Sequence, residues 1–80
     1  MSNIKSRKKI KPTAIEILRA EKLKNLRIKL NLSLEDVATK IGVSRVTISR
    51  YENTDITNIP MDTIEKLSSL YKTTPAYIMG

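Results

Sequence analysis

Eighty residues make a single domain that buries little more than half of its unfolded surface, so the core must be small and, with no Phe or Trp, built from Leu, Ile, Val, Ala, Met and three Tyr. The absence of Cys and His excludes disulfides, thiolate–metal sites and the usual nucleophile–base pairs, so neither catalysis nor a bound metal or cofactor is expected. The formal charge is +7 and unevenly spread: residues 1–50 hold 13 Lys/Arg against 4 Asp/Glu (+9) and residues 51–80 hold 2 against 4 (−2), a polarity that attracts polyanions.

Residues 1–12 carry five basic side chains, no acidic ones and too few apolar groups to hold a fold, and they read as a basic N-terminal arm. Such an arm can lie along phosphates or enter a minor groove; the alternative is a solvated tail. The domain proper runs over residues 13–80. Thr13 and Glu16 have the spacing of a capping box, and Ile15, Leu18, Leu23, Leu26 and Leu30 recur at helical intervals until Asn31 supplies a stop. The stripe drifts between Ile17 and Lys22, which leaves one long helix or two.

Ser33 is an N-cap ahead of Glu35 and Asp36, whose charges suit a helix N-terminus, and Val37, Ala38 and Ile41 give the short helix its apolar stripe. Gly42 ends it in the left-handed conformation. Ser44 caps the next helix, in which Ile48 and Tyr51 face inward while Arg45, Val46, Ser49 and Arg50 face outward. Asn53 to Pro60 reads as a loop, with Pro60 opening a fourth helix whose stripe is Met61, Ile64, Leu67, Leu70 and Tyr71 and which runs to about Lys72. Thr74 and Pro75, an N-cap followed by proline, open a last turn that ends before Gly80.

Two short helices joined by a tight Gly-containing turn form a helix-turn-helix unit, in which the first helix braces and the second enters the major groove. Ala38 is small where the two helices cross, Gly42 makes the turn, and Val37, Ile41, Val43, Ile48 and Tyr51 fasten the pair to the core. With these residues at these spacings, the stretch from Leu32 to Asn53 resembles the Cro/CI (phage lambda repressor-like, XRE) family of helix-turn-helix domains. The resemblance extends from about Leu23 to Gly80, because that family adds two further helices, the last reading like residues 74–80.

The fold implied is all-α: a compact five-helix lambda-repressor-like helix-turn-helix domain with a basic N-terminal arm. The function implied is sequence-specific binding of double-stranded DNA by a cytoplasmic transcriptional regulator, a repressor of phage or mobile-element type that reads the major groove with helix 44–52. The implied partner is an operator, as an inverted repeat bound by a homodimer. Because the chain closes just after the last family helix, a further C-terminal domain is expected in a longer protein. No apolar run spans a bilayer and the basic N-terminus lacks a signal peptide's apolar stretch, so no membrane partner is expected.

Carried over residue by residue, the resemblance implies base contacts by Arg45, Val46, Ser49 and Arg50, the arginines gripping guanine O6 and N7 and Val46 touching a thymine methyl. Ser44, Thr47 and Asn53 fall where the family contacts the DNA backbone, joined by Arg27 and, from the arm, Lys8 and Lys9. The family also pairs a first-helix Arg with a recognition-helix Glu, here Arg27 and Glu52. Tyr77 and Met79 are candidates for a dimer interface, the alternative being core closure.

Two departures stand out. Leu34 occupies the position where the family has a polar residue, often Gln, that bonds a phosphate, and the loop over residues 54–60 lacks the family's Gly and basic residue. The competing functional class is a protein-interaction module, antitoxin-like or polymerase-contacting. An uncharged or acidic recognition helix would mark it, whereas this one carries Arg45 and Arg50.

Overall fold

A computed structural model describes residues 11–80. Among them the chain forms five helices and no strand: α1 (Ala14–Lys29), α2 (Leu34–Ile41), α3 (Arg45–Glu52), α4 (Met61–Leu70) and α5 (Pro75–Met79). No helix among the described residues is long and apolar enough to cross a membrane. Lys8, Lys9 and the rest of the arm up to residue 10 lie outside the described residues, whereas Lys11 and Pro12 lead into α1 and line a cleft with Glu16, Thr54, Asp55 and Thr57.

Each helix begins on a signal present in the sequence. Thr13 Oγ1 accepts from Glu16 N–H at 3.2 Å while Glu16 Oε1 accepts from Thr13 N–H at 2.9 Å. Ser33 and Asp36 close the same reciprocal box at 2.9 Å in both directions, so Asp36 is a full partner in the cap rather than only a favourable charge. Thr74 Oγ1 accepts from Tyr77 N–H with Pro75 at the first helical position. Pro60 is the N-cap residue of α4 rather than its first helical residue, and it offers no side-chain cap.

The helix ends are equally local. Asn31 adopts φ 58°, and its N–H donates to Ile28 O while Leu32 N–H donates to Arg27 O, the paired bonds of a Schellman stop. Gly42 takes φ 79°, and both its N–H and that of Val43 reach Ala38 O.

The core is a single cluster drawn from every helix: Leu23, Val37, Ala38, Ile41, Ile48, Tyr51, Ile64, Leu67, Tyr71 and Ile78. The helix of the first segment is continuous, and the drift between Ile17 and Lys22 has a physical cause. Only its C-terminal half lies over the core. Ile15 and Leu18, expected on the apolar face, are exposed, and Ala20 and Leu23 are the buried residues of α1. Met61 is likewise exposed rather than part of the α4 stripe, because α4 turns Ile64, Leu67 and Ser68 inward. The Ser68 hydroxyl avoids being an orphan by donating to Glu65 O.

α1 is tied to α5 by polar contacts between residues far apart in the chain, which no local pattern foretells. Lys22 Nζ donates to Tyr77 O at 2.8 Å and lies 4.7 Å from the centre of the Tyr77 ring, while Arg19 Nη2 donates to Met79 O at 3.2 Å. Both cations thus sit on the C-terminal carbonyls of α5, where the helix dipole favours positive charge.

Candidate nucleic-acid interface

Helix α3 is held against α2 and α1 from one side only. Ile48 and Tyr51 are buried on that side, and Arg45, Val46 and Arg50 are exposed on the other, with Thr47 and Ser49 half-buried between the two faces. Residues four apart stack along a helix, so Arg45 and Ser49 form one outward row and Val46 and Arg50 a neighbouring one. Neither arginine has a hydrogen-bond or ion-pair partner among the described residues. Val46, 51 % exposed, offers apolar surface between them.

The start of α3 is built by hydroxyls. Ser44 Oγ accepts from Thr47 N–H at 3.1 Å and lies 2.8 Å from Thr47 Oγ1. A hydroxyl has one hydrogen, and the bond between these two oxygens uses only one of the pair's two, so one O–H donor remains for an outside acceptor whichever way the bond runs. At the other end, Asn53 Nδ2 donates to Ser49 Oγ at 3.3 Å, which leaves the Ser49 hydrogen free as well.

The pair Arg27–Glu52 fixes the far end of α3 to α1. Nε of Arg27 donates to Glu52 Oε2 at 2.7 Å and Nη2 to Oε1 at 3.0 Å, a two-pronged contact, while Nη1 donates to Leu32 O at 2.9 Å. The side chains are 13 % and 5 % exposed. The bond to Glu52 holds the Arg27 guanidinium above its ordinary pKa against the opposing effect of burial. Tyr71 packs beside them, its hydroxyl pushed well above the ordinary tyrosine range by burial and then by the Glu52 carboxylate. Three of the five guanidinium N–H groups are engaged inside the protein, which leaves one on each terminal nitrogen for an outside acceptor, while the bonds already made tie the far end of α3 to α1.

Of the residues expected at the interface, the fold therefore brings Ser44, Arg45, Val46, Thr47, Ser49, Arg50 and Asn53 onto one helix and its ends, and turns Arg27 and Glu52 toward each other beneath it. Leu34 is half-buried and packs against the core, which gives the apolar residue at that position a structural reason. The loop after α3 obtains its turn without glycine: Thr54 takes φ 63°, its hydroxyl donates to Asn53 O, and Asp55 and Ile56 N–H both donate to Arg50 O. Tyr77 is exposed, whereas Met79 is half-buried against the core.

Comparison with known proteins places this arrangement. Residues 23–78 match the family described as Helix-turn-helix. In shape, the chain is similar to SinR, whose crystal structure as the master regulator for biofilm formation was solved in complex with DNA: the TM-score is 0.73 at 24 % identity, over 78 % of this chain and 98 % of that one. No curated protein matches. The matched span covers α2, α3 and α4 in full, the core-facing half of α1 and α5 up to Ile78, so the chain belongs to the Cro/CI-type helix-turn-helix family of DNA-binding transcription regulators.

Proposed function

We propose that the chain is a sequence-specific repressor of phage or mobile-element type that inserts α3 into the major groove of double-stranded DNA. One observation carries the reading: α3 is locked by Ile48, Tyr51 and Glu52 while Arg45, Val46 and Arg50 lie exposed on its outer face without a partner among the described residues. A helix fixed on one side and unpaired on the other is what reading a groove requires. The solved complex of SinR with DNA, in a chain of the same shape, supports the same use.

Arg45 and Arg50 are five residues apart, which at about 1.5 Å per residue spaces their Cα atoms by roughly 7.5 Å, or about two base-pair steps of 3.4 Å. They read different base pairs, each suited to guanine, with Val46 beside a thymine methyl and Ser49 donating to a nearby acceptor. The free O–H of the Ser44–Thr47 pair and the Asn53 side chain hold the phosphates on either side and so set register. Arg27 braces α3 through Glu52 and offers its two remaining N–H groups to a backbone phosphate. Lys8 and Lys9 add phosphate contacts from the arm; replacing both with alanine lowers the slope of log K against log salt by about 1.8 if each neutralises one phosphate. The operator is an inverted repeat read by two copies.

Selection of binding sites from random duplex DNA, with the native chain and Arg45→Ala in parallel, tests the proposal. The expected result is a G-containing motif, inverted about a centre, in which Arg45→Ala blurs one position at a loss of about 1–3 kcal/mol. Binding that is salt-sensitive and blind to sequence would reject base reading by α3.

A further inference from the structure

Between the C-terminal half of α1 and the turn joining α4 to α5 lies a cleft of about 350 Å³, within the range of sites that hold small molecules. Leu26 and Leu30, one helical turn apart on α1, form its apolar lining with Tyr71 and Tyr77. Lys29 and Lys72, both exposed, and the half-buried hydroxyl residue Thr73 complete it. No acidic residue lines the cleft, and the one salt bridge among the described residues joins Arg27 to Glu52, so neither lysine is neutralised. Lys22, whose Nζ lies 4.7 Å from the centre of the Tyr77 ring, adds a third cation nearby.

The backbone at Lys72 singles this cleft out. Thr73 N–H donates to Ser68 O at 2.9 Å and Lys72 N–H to Ser69 O at 3.3 Å, a Schellman stop in which Lys72 takes φ 59°. Glycine is the usual residue at that place, and a lysine there bears a conformational cost that glycine does not. The dipole of α4 favours a cation near this end, but α4 carries no basic residue in its last turn, where one would meet that need without the cost. A strained position that also supplies the charge of a cleft points to a use for that charge. We propose that the cleft binds a small amphipathic carboxylate, its apolar body against Leu26, Leu30 and the two tyrosines and its carboxylate between Lys29 and Lys72. This site does not rest on the reading of DNA by α3.

The chemistry of the lining selects this occupant. Two ammonium groups and a hydroxyl supply enough donors for the two oxygens of a carboxylate, and lysines bind it as point charges, so selectivity falls to the apolar body. An inorganic anion would use the lysines and leave the apolar lining wet, whereas a neutral molecule would use the lining and leave the charges idle. Other clefts lack one of these parts: the one between Lys40 and Lys66 has no aromatic residue, and the one beside Lys11 sets Glu16 and Asp55 against its cation. Tyr71 also lines the narrow gap beneath α3 together with Glu52, so an occupant of the cleft rests one side chain away from the Arg27–Glu52 clamp.

Amide chemical shifts of the full chain, titrated without DNA at neutral pH and constant ionic strength, test the proposal. The probes are phenylpropionate, its neutral isostere phenylpropionamide, and inorganic phosphate. Phenylpropionate is expected to give saturable shifts at Leu30, Lys72, Thr73 and Tyr77 with a dissociation constant on the order of 1 mM, as suits a ligand of its size. Phenylpropionamide should bind about fivefold more weakly or worse, and phosphate should not saturate these signals in the same range. The double variant Lys29→Gln/Lys72→Gln should weaken phenylpropionate about tenfold, while Lys40→Gln/Lys66→Gln, at the other lysine-flanked cleft, should leave it unchanged. Lys72→Gly separates charge from fold: it relieves the left-handed backbone, so it should be at least as stable to urea as the native chain and still bind phenylpropionate more weakly. Shifts scattered over the chain, equal binding of the amide or of phosphate, or undiminished binding by Lys29→Gln/Lys72→Gln would overturn the site. With no DNA present, none of these results bears on base reading by α3.

Discussion

Removing the Glu52 carboxylate is the most demanding test of how α3 is held. In Glu52→Ala, Arg27, whose side chain is 13 % exposed, loses two charge-assisted hydrogen bonds and keeps only the bond to Leu32 O. An exposed ion pair would cost at most about 1 kcal/mol, and truncating one partner of a fully buried pair costs about 3–5 kcal/mol. With the carboxylate 5 % exposed the pair lies nearer the buried limit, but water can reach the vacated space from the Arg27 side; we expect about 2–4 kcal/mol. A domain of this length has a total stability of roughly 4–12 kcal/mol. The loss is therefore at least about a sixth of the total and lowers Tm by roughly 10–25 °C.

Urea and thermal unfolding of native, Glu52→Ala, Arg27→Ala and the double variant give the coupling directly. Because each single variant leaves the other charge stranded, the double variant should lose less than the sum of the two by at least about 1.5 kcal/mol. Half-molar salt should change the native stability less than it would for a surface pair, since the two groups are largely shielded from ions. A Glu52→Ala cost under about 1 kcal/mol, or strict additivity, would refute the clamp.

Two substitutions at left-handed positions should move stability in opposite directions. Gly42→Ala, at φ 79° with nothing within 4 Å of the added Cβ, should destabilise by about 1–2 kcal/mol through backbone conformation alone, while Thr54→Gly, at φ 63°, should stabilise by about 0.5–1 kcal/mol; chemical denaturation at constant m-value reads both. Asp36 has its carboxylate pKa lowered by the backbone N–H of Ser33 and then by the Ser33 side chain. Its contribution is therefore complete above the unfolded value near 3.9 and is lost as pH falls below about 4, so Asp36→Asn should flatten the acid limb of the stability curve there, and an unchanged limb would count against the cap.

Much of this fold is legible in the sequence because its punctuation is local. Thr13, Ser33, Ser44 and Thr74 each act within one turn of their own position, and Asn31 and Gly42 stop helices through their own backbone angles. The outward set on α3 follows from a period of 3.6 once Ile48 and Tyr51 are taken as buried. What failed was the reach of that reasoning where a helix outruns its support. Periodicity put Ile15 and Leu18 on one face with Leu23, Leu26 and Leu30, but a stripe shows only that apolar residues share a face, not that another element covers it. The αL turn at Thr54 carries no sequence signal, because a β-branched residue is the last that propensity would place there. Lys22 over Tyr77 and Arg19 on Met79 O join residues more than fifty positions apart, and charge patterning along a helix says nothing of such partners.

The division of labour on α3 also bears on where affinity arises. Arg45 and Arg50 have no partner among the described residues, so on the proposed reading ordering each on a base would cost up to about 2 kcal/mol of side-chain entropy, comparable to the roughly 1–3 kcal/mol of discrimination a bidentate contact provides. Base reading of the kind proposed for these two residues would then contribute selectivity more than net binding strength. Strength must come from contacts whose ordering cost is already met in the free protein, such as the free hydroxyl of the Ser44–Thr47 pair on its pre-formed cap, and from phosphate neutralisation. The Arg27–Glu52 clamp belongs to the same logic: a helix whose far end is already fixed to α1 has little orientational freedom left to lose when it docks.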